Sequence, residues 1–124
     1  MALPANRSLR QVQVDCFSPS VGASPVAAVA RAPSRGTIVK VGGVLIAGLS
    51  TSDCSVAVKI NGTAMTGSPF TMTQAGSAEG SVFTMIPTGA NNVNEDDAIE
   101  FEASGSAGAS VGCTFFAVID RNDL

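Results

Sequence analysis

The side chains that could do chemistry in this sequence are carboxylates and thiols. Glu100 and Glu102 share one face of an extended segment, at a separation of about 7 Å for the usual strand rise. Two carboxylates near that distance can cleave a glycosidic bond. Ile99, Phe101 and Ala103 alternate with them. That is the pattern of a strand whose polar side faces water, and the pair is read as a solvated face. Platforms for sugar stacking are missing: there is no Trp and no Tyr, and the six Phe read as core. Glu95-Asp96-Asp97, beside Asn92 and Asn94, offers oxygens to calcium. The spacing is not that of an EF-hand loop, and no glycine stands at its turn position. The segment is read as a polar turn that opens the next strand.

What is missing decides more. The sequence has no histidine, so a Ser-His-Asp triad cannot form and the commonest metal ligand is gone. Cys16, Cys54 and Cys113 are far apart and odd in number. They form no CxxC motif, fit a disulfide framework poorly, and would leave a zinc ion without its usual fourth ligand. They are read as small buried apolar residues in strands. No glycine-rich phosphate loop is present, and the basic residues are scattered. No enzyme activity, metal or cofactor is expected.

The elements that would have to position any site are strands. In 124 residues, 45% are hydrophobic and only 14% charged. One folded domain is expected, with a surface poor enough in charge to suggest that part of it is hidden against neighbours. The net charge of −3 argues against a nucleic-acid partner, which needs clustered cations. Met1 to Arg7 has no apolar h-region, and no run of 18 apolar residues exists, so neither a secretory signal nor a membrane partner is expected.

Residues 1–8 read as an arm, and Gln11 to Cys16 alternates as a half-buried strand. Thr37 to Ala47 is a β-branched run interrupted by Gly42-Gly43, which suggests a bulge or a close backbone approach. Cys54 to Ile60 alternates and meets Asn61-Gly62, a type I′ hairpin signal. The last strand, Val111 to Ile119, is apolar on both faces, Cys113/Phe115/Ala117/Ile119 and Thr114/Phe116/Val118. Such a strand is covered on both sides, and the second cover is expected to be another subunit. About eight strands with regular turn signals predict an all-β antiparallel β-sandwich, an eight-stranded jelly roll. Residues 1–20 are expected to form the arm and first strand, and residues 21–124 the sandwich domain.

The order of phrases adds a resemblance. Gly36-Thr37-Ile38-Val39-Lys40-Val41 leads to Val44-Leu45. Ser50 to Asp53 precedes Val56-Ala57-Val58-Lys59-Ile60-Asn61-Gly62-Thr63. Ala75 to Val82, Asn92-Val93 and Asp97-Ala98-Ile99-Glu100-Phe101 follow, then Gly105, Val111 and Phe116-Ala117-Val118-Ile119-Asp120-Arg121. Over residues 26–121 this resembles the small β-sandwich head proteins of tailed bacteriophages: decoration (cement) proteins and related head-fibre bases. One departure is Glu95-Asp96, where a Gly-Asp turn would be expected. The resemblance implies a homotrimer on the outer surface of an icosahedral capsid, made in the host cytoplasm, with the major capsid protein as partner. The competing role is a receptor- or glycan-binding jelly-roll module of a viral fibre or head fibre.

Two sets of residues are expected at such contacts. Phe115, Phe116 and Val118 of the last strand are expected in or beside the subunit interface. Leu3, Arg7, Leu9 and Arg10 are expected to reach a neighbouring chain or the capsid, because ordering a short arm must be offset by contacts outside its own core.

Overall fold

A computed structural model describes residues 10–104 and 110–121 of the chain. The strands are β1 (Gln11–Ser18), β2 (Ala28–Arg31), β3 (Gly36–Leu45), β4 (Cys54–Ile60), β5 (Thr63–Ala64), β6 (Phe70–Met72), β7 (Val82–Met85), β8 (Asn92–Val93), β9 (Ala98–Ser104) and β10 (Cys113–Asp120). The first sheet runs β1-β10-β3-β7, with β8 also on β3; the second runs β2-β9-β4-β5, with β6 also on β4. The named strands pair antiparallel throughout.

The all-β, two-sheet architecture is the one the alternating phrases predicted. Among the described residues the strands number ten, above the expected eight because two of them, β5 and β8, are only two residues long. β8 falls inside the stretch read as a polar loop; two residues carry no periodicity to detect. The Asn-Gly signal holds. Asn61 and Gly62 both have positive φ, 51° and 87°, and Ile60 faces Thr63 across the turn.

The core lies between the sheets. Ile38, Val41 and Leu45 of β3 and Cys113, Phe115, Ala117 and Ile119 of β10 point in from the first sheet. Val56 and Val58 of β4 and Ile99, Phe101 and Ala103 of β9 meet them from the second. The rings of Phe101 and Phe115 stack across the interior, centroids 4.9 Å apart and planes 8° from parallel. Such a pair adds about 0.5–1.5 kcal/mol beyond its buried area.

Gly42-Gly43 marks a close approach on both faces of one strand. A β-carbon on Gly43 would stand 2.8 Å from Cys113 Sγ and 3.0 Å from Phe115 Cδ1, on the inner side. One on Gly42 would stand 2.7 Å from Phe116 Cζ, on the outer side. Two adjacent glycines thus seat two adjacent phenylalanines, one inside the sandwich and one outside. A bulge is also present, three residues earlier. Ile38 and Lys40 pair with the consecutive residues Ile119 and Val118, which leaves Val39 without a partner.

Candidate interaction surface

The outer faces of the two sheets differ in chemistry. On the second sheet the outward residues include Ser55, Ala57 and Lys59 of β4 and Glu100 and Glu102 of β9. Lys59 Nζ donates to Glu102 Oε1 at 3.0 Å, and that hydrogen bond raises the lysine's pKa. Glu100 lies opposite Lys59 in the ladder. The paired glutamates thus sit on an ordinary polar sheet face.

The first sheet presents three lateral rows outward. Phe17, Thr114, Val44 and Val82 form one; Asp15, Phe116, Gly42 and Thr84 the next; Gln13, Val118 and Lys40 the third. Phe17 is 55% exposed and Val82 57%. Ile46 is 52% exposed and converges with Phe17 over Gly112, whose absent β-carbon would lie 3.2 Å and 3.0 Å from them. Ile86, 70% exposed, continues the β7 alternation beyond Thr84. Four of the six large apolar side chains left exposed among the described residues therefore belong to this side. Phe116, Val118 and Val44 are half-buried between them.

The expected contact residues separate accordingly. Phe116 and Val118 are on this outer face. Phe115 is not: it is fully buried, stacked on Phe101, because β-strand alternation sends neighbouring side chains to opposite sides. It holds the core and cannot touch a neighbour. Arg10 lies at the start of β1, where its guanidinium is 3.7 Å from Asp120 Oδ1 and its carbonyl accepts from Arg121 N–H. Leu3, Arg7 and Leu9 lie outside the described residues. The expectation that all six Phe are core fails at Phe17, which stands outward; Ile46, Val82 and Ile86 carry no expectation from the sequence. Phe17 was findable: it shares parity with Gln11, Gln13 and Asp15, so alternation alone puts an aromatic ring on a polar side.

The carboxylate cluster and the thiols are occupied differently. Asp97 Oδ2 accepts from Asn94 N–H at 2.8 Å, and Oδ1 accepts from Asn61 Nδ2 at 3.0 Å. These bonds hold its pKa below the ordinary carboxylate value, the Asn94 bond contributing most. Asn61 Oδ1 accepts in turn from Ala98 N–H at 2.9 Å. The acidic turn therefore ties the β4–β5 hairpin to the start of β9. Cys16, Cys54 and Cys113 are free thiols on strands, Cys54 and Cys113 fully buried. Burial pushes the Cys16 thiol up to about 11, with the Asp15 charge adding to it, and the Cys113 thiol up to about 12. Neither is an activated nucleophile.

No protein-family model and no curated protein matches the chain. Its fold does match solved structures. A chain in the acidic stable capsid structure of Helicobacter pylori bacteriophage KHP30 superposes with a TM-score of 0.54, covering 89% of this chain and 86% of that one at 13% identity. An arabinose-bound α-L-arabinofuranosidase superposes at 0.49, over 88% of this chain and only 19% of that one, with 11% identity. At these identities the likeness is one of fold, and the second score is too low to argue from. The capsid chain is matched almost end to end, so the shared unit is the sandwich itself.

Proposed function

We propose that this chain is a structural virion protein that binds the outer surface of a phage capsid as a homotrimer and stabilises the shell by bridging capsomers. The observation that carries the reading is the asymmetry of the sandwich. One outer face is mostly polar and carries the Lys59–Glu102 pair, with Val29 as its exposed apolar side chain, while the other holds Phe17, Ile46, Val82 and Ile86 in the open around Phe116 and Val118. A side of that kind marks a contact with another protein. The near-complete overlap with a chain of a phage capsid structure supports the setting, as does the resemblance over residues 26–121.

The mechanism is burial. The first sheet's outer face packs against neighbouring copies of the chain, and the trimer in turn contacts the major capsid protein. Area removed from water contributes about 25 cal/mol per Å² before the costs of association, and a stable contact removes about 800 Å² from each partner. No step of catalysis belongs to this role. The separation of strands β1, β3 and β10 from β2, β4 and β9 into opposite sheets supports a jelly-roll connection.

Sedimentation equilibrium of the purified protein is expected to give the mass of three chains, and added protein should bind heads that lack it and raise their resistance to heat. A single-chain mass at micromolar concentration together with no binding to such heads would overturn the reading.

A further inference from the structure

Strand β1 is the edge of the first sheet. All eight of its residues, Gln11 to Ser18, are in register with β10. Among the described residues nothing pairs with its other side. Proteins usually protect such an edge with a proline, a bulge, a lysine or a short strand. β1 has none of these: it is long, in unbroken register, and carries one charge, Asp15. Its inward side chains, Val12, Val14 and Cys16, pack on the core yet remain only half-buried. Apolar cover is therefore missing along the same line as backbone partners.

The direction of the free backbone groups can be read from the ladder. Arg10 carbonyl accepts from Arg121 N–H. In an antiparallel ladder hydrogen-bonded and non-bonded residues alternate. The even residues of β1 therefore bond to β10, and Gln11, Gln13, Asp15 and Phe17 turn their N–H and C=O groups to the open side.

We infer that β1 pairs antiparallel with β1 of a second copy about a two-fold axis at Val14, joining two first sheets into one. Three requirements select this register. Outward-bonding residues must meet outward-bonding residues, inward side chains must meet inward ones, and Asp15 must not face Asp15. With Val14 opposite Val14, Gln11 faces Phe17 and Gln13 faces Asp15, twice each by symmetry. The four outward residues of each strand are then all paired, in four pairs with eight hydrogen bonds. Val12 faces Cys16 on the inner side, so the half-buried row of each copy covers that of the other. Gln13 already donates to Asp15 within one chain, Nε2 to Oδ1 at 2.9 Å, and this arrangement offers the same partner across the axis. Centring the axis on Asp15 would oppose two carboxylates. Centring it on Gln13 or Cys16 would leave outward groups of each β1 without a partner.

A two-fold contact cannot be the contact that builds a three-fold ring, so the edge joins one trimer to the next. It does not rest on the trimer: two single chains could meet by it equally. The test uses two variants. Gln13→Pro removes an outward N–H and no bond to β10, and proline is tolerated at such edge positions. Two of the eight ladder bonds go, one per copy, so association through the edge should weaken at least about thirtyfold. Val14→Cys puts two thiols at a non-bonded cross-strand pair, where Cα atoms lie about 4.5 Å apart and a disulfide can close.

Sedimentation at rising concentration is expected to show the wild-type chain associating beyond its basic unit, to pairs if that unit is one chain and to larger linked sets if it is a trimer with three such edges, with Gln13→Pro stopping at that unit and keeping its fold by circular dichroism. Mild oxidation of Val14→Cys should give a covalent dimer joined at position 14. If Val14→Cys forms no such dimer and Gln13→Pro leaves the mass distribution unchanged, the edge pairing is wrong. The basic unit itself, three chains or one, reports separately on the trimer.

Discussion

The ring of Phe116 lies across Gly42: its Cζ comes within 2.7 Å of the point where a β-carbon on that glycine would stand. The neighbouring pair repeats the arrangement on the other side, Phe115 over Gly43 at 3.0 Å. A single strand, β3, is thereby thin enough at its middle to carry an aromatic ring on each face. Phe115 completes the core, and Phe116 forms the floor of the exposed apolar side.

The glycines should therefore be intolerant of a methyl group. Gly42→Ala meets the Phe83 carbonyl as well as the Phe116 ring, and overpacking of this kind costs about 1–3 kcal/mol. Gly43→Ala meets Cys113 and Phe115 and should cost a similar amount. Thermal melts of the two variants check this. Truncating the ring should relieve part of the loss, so a double-mutant cycle of Gly42→Ala with Phe116→Ala is expected to be non-additive.

Adjacent substitutions on β10 should fail in different ways. Phe115→Asp buries an unpaired carboxylate in the core and is expected to abolish folding. Phe116→Asp places the charge on the outer side; the chain should fold and lose the three-chain assembly. Circular dichroism with sedimentation separates the two outcomes. A folded Phe116→Asp variant that still sediments as three chains would remove the first sheet's outer face from the subunit contact.

Much of this was legible in the sequence, for a physical reason. Strands such as Cys54–Ile60 and Ala98–Ser104 alternate because one side is buried, and Asn61-Gly62 accepts positive φ, so both patterns survive without tertiary information. What was not legible depends on partners in space. Phe115 and Phe116 are both apolar, and only the pairing of β10 with β3 and its stack on Phe101 tells which one is core. Val82 and Ile86 are apolar like Phe83 and Met85 between them, and only the pairing of β7 with β3 at the sheet edge shows that they face outward. The open edge of β1 likewise exists only once the strand order is known.

The thiols set an alkaline limit on stability. Cys16 is pushed up to about 11 and Cys113 to about 12, each from the ordinary thiol value of 9.0. Between those values the unfolded chain has lost thiol protons that the folded chain keeps. Their contribution to stability is present in full below pH 9 and falls as the pH rises through 11 and 12. Denaturant melts should show stability declining from about pH 9 upward, and Cys113→Ala should reduce that slope. A thiol reagent at pH 8 should label the native protein slowly and the unfolded protein at once.

The acidic turn gives the opposite sign. Asp97 is held below its ordinary value by Asn94 N–H and the Asn61 amide. Its contribution to stability is present above the unfolded carboxylate pKa and is lost as the pH falls through the folded one. Asp97→Ala should lower the melting temperature at neutral pH, and the difference from wild type should vanish in acid. A chelator should leave both proteins unchanged; a large drop in wild-type melting temperature on chelation would identify the turn as a calcium site, since a ligand bound only by the folded state stabilises it.

The most direct measurement is a three-dimensional reconstruction of purified phage heads with and without this protein, at a resolution that separates the two sheets. The difference density is expected on the outside of the shell, at local three-fold positions, as three sandwiches whose first sheets face one another across the copies. Density on the inner surface, at a single vertex or at the tip of a fibre would contradict a capsid-bridging role.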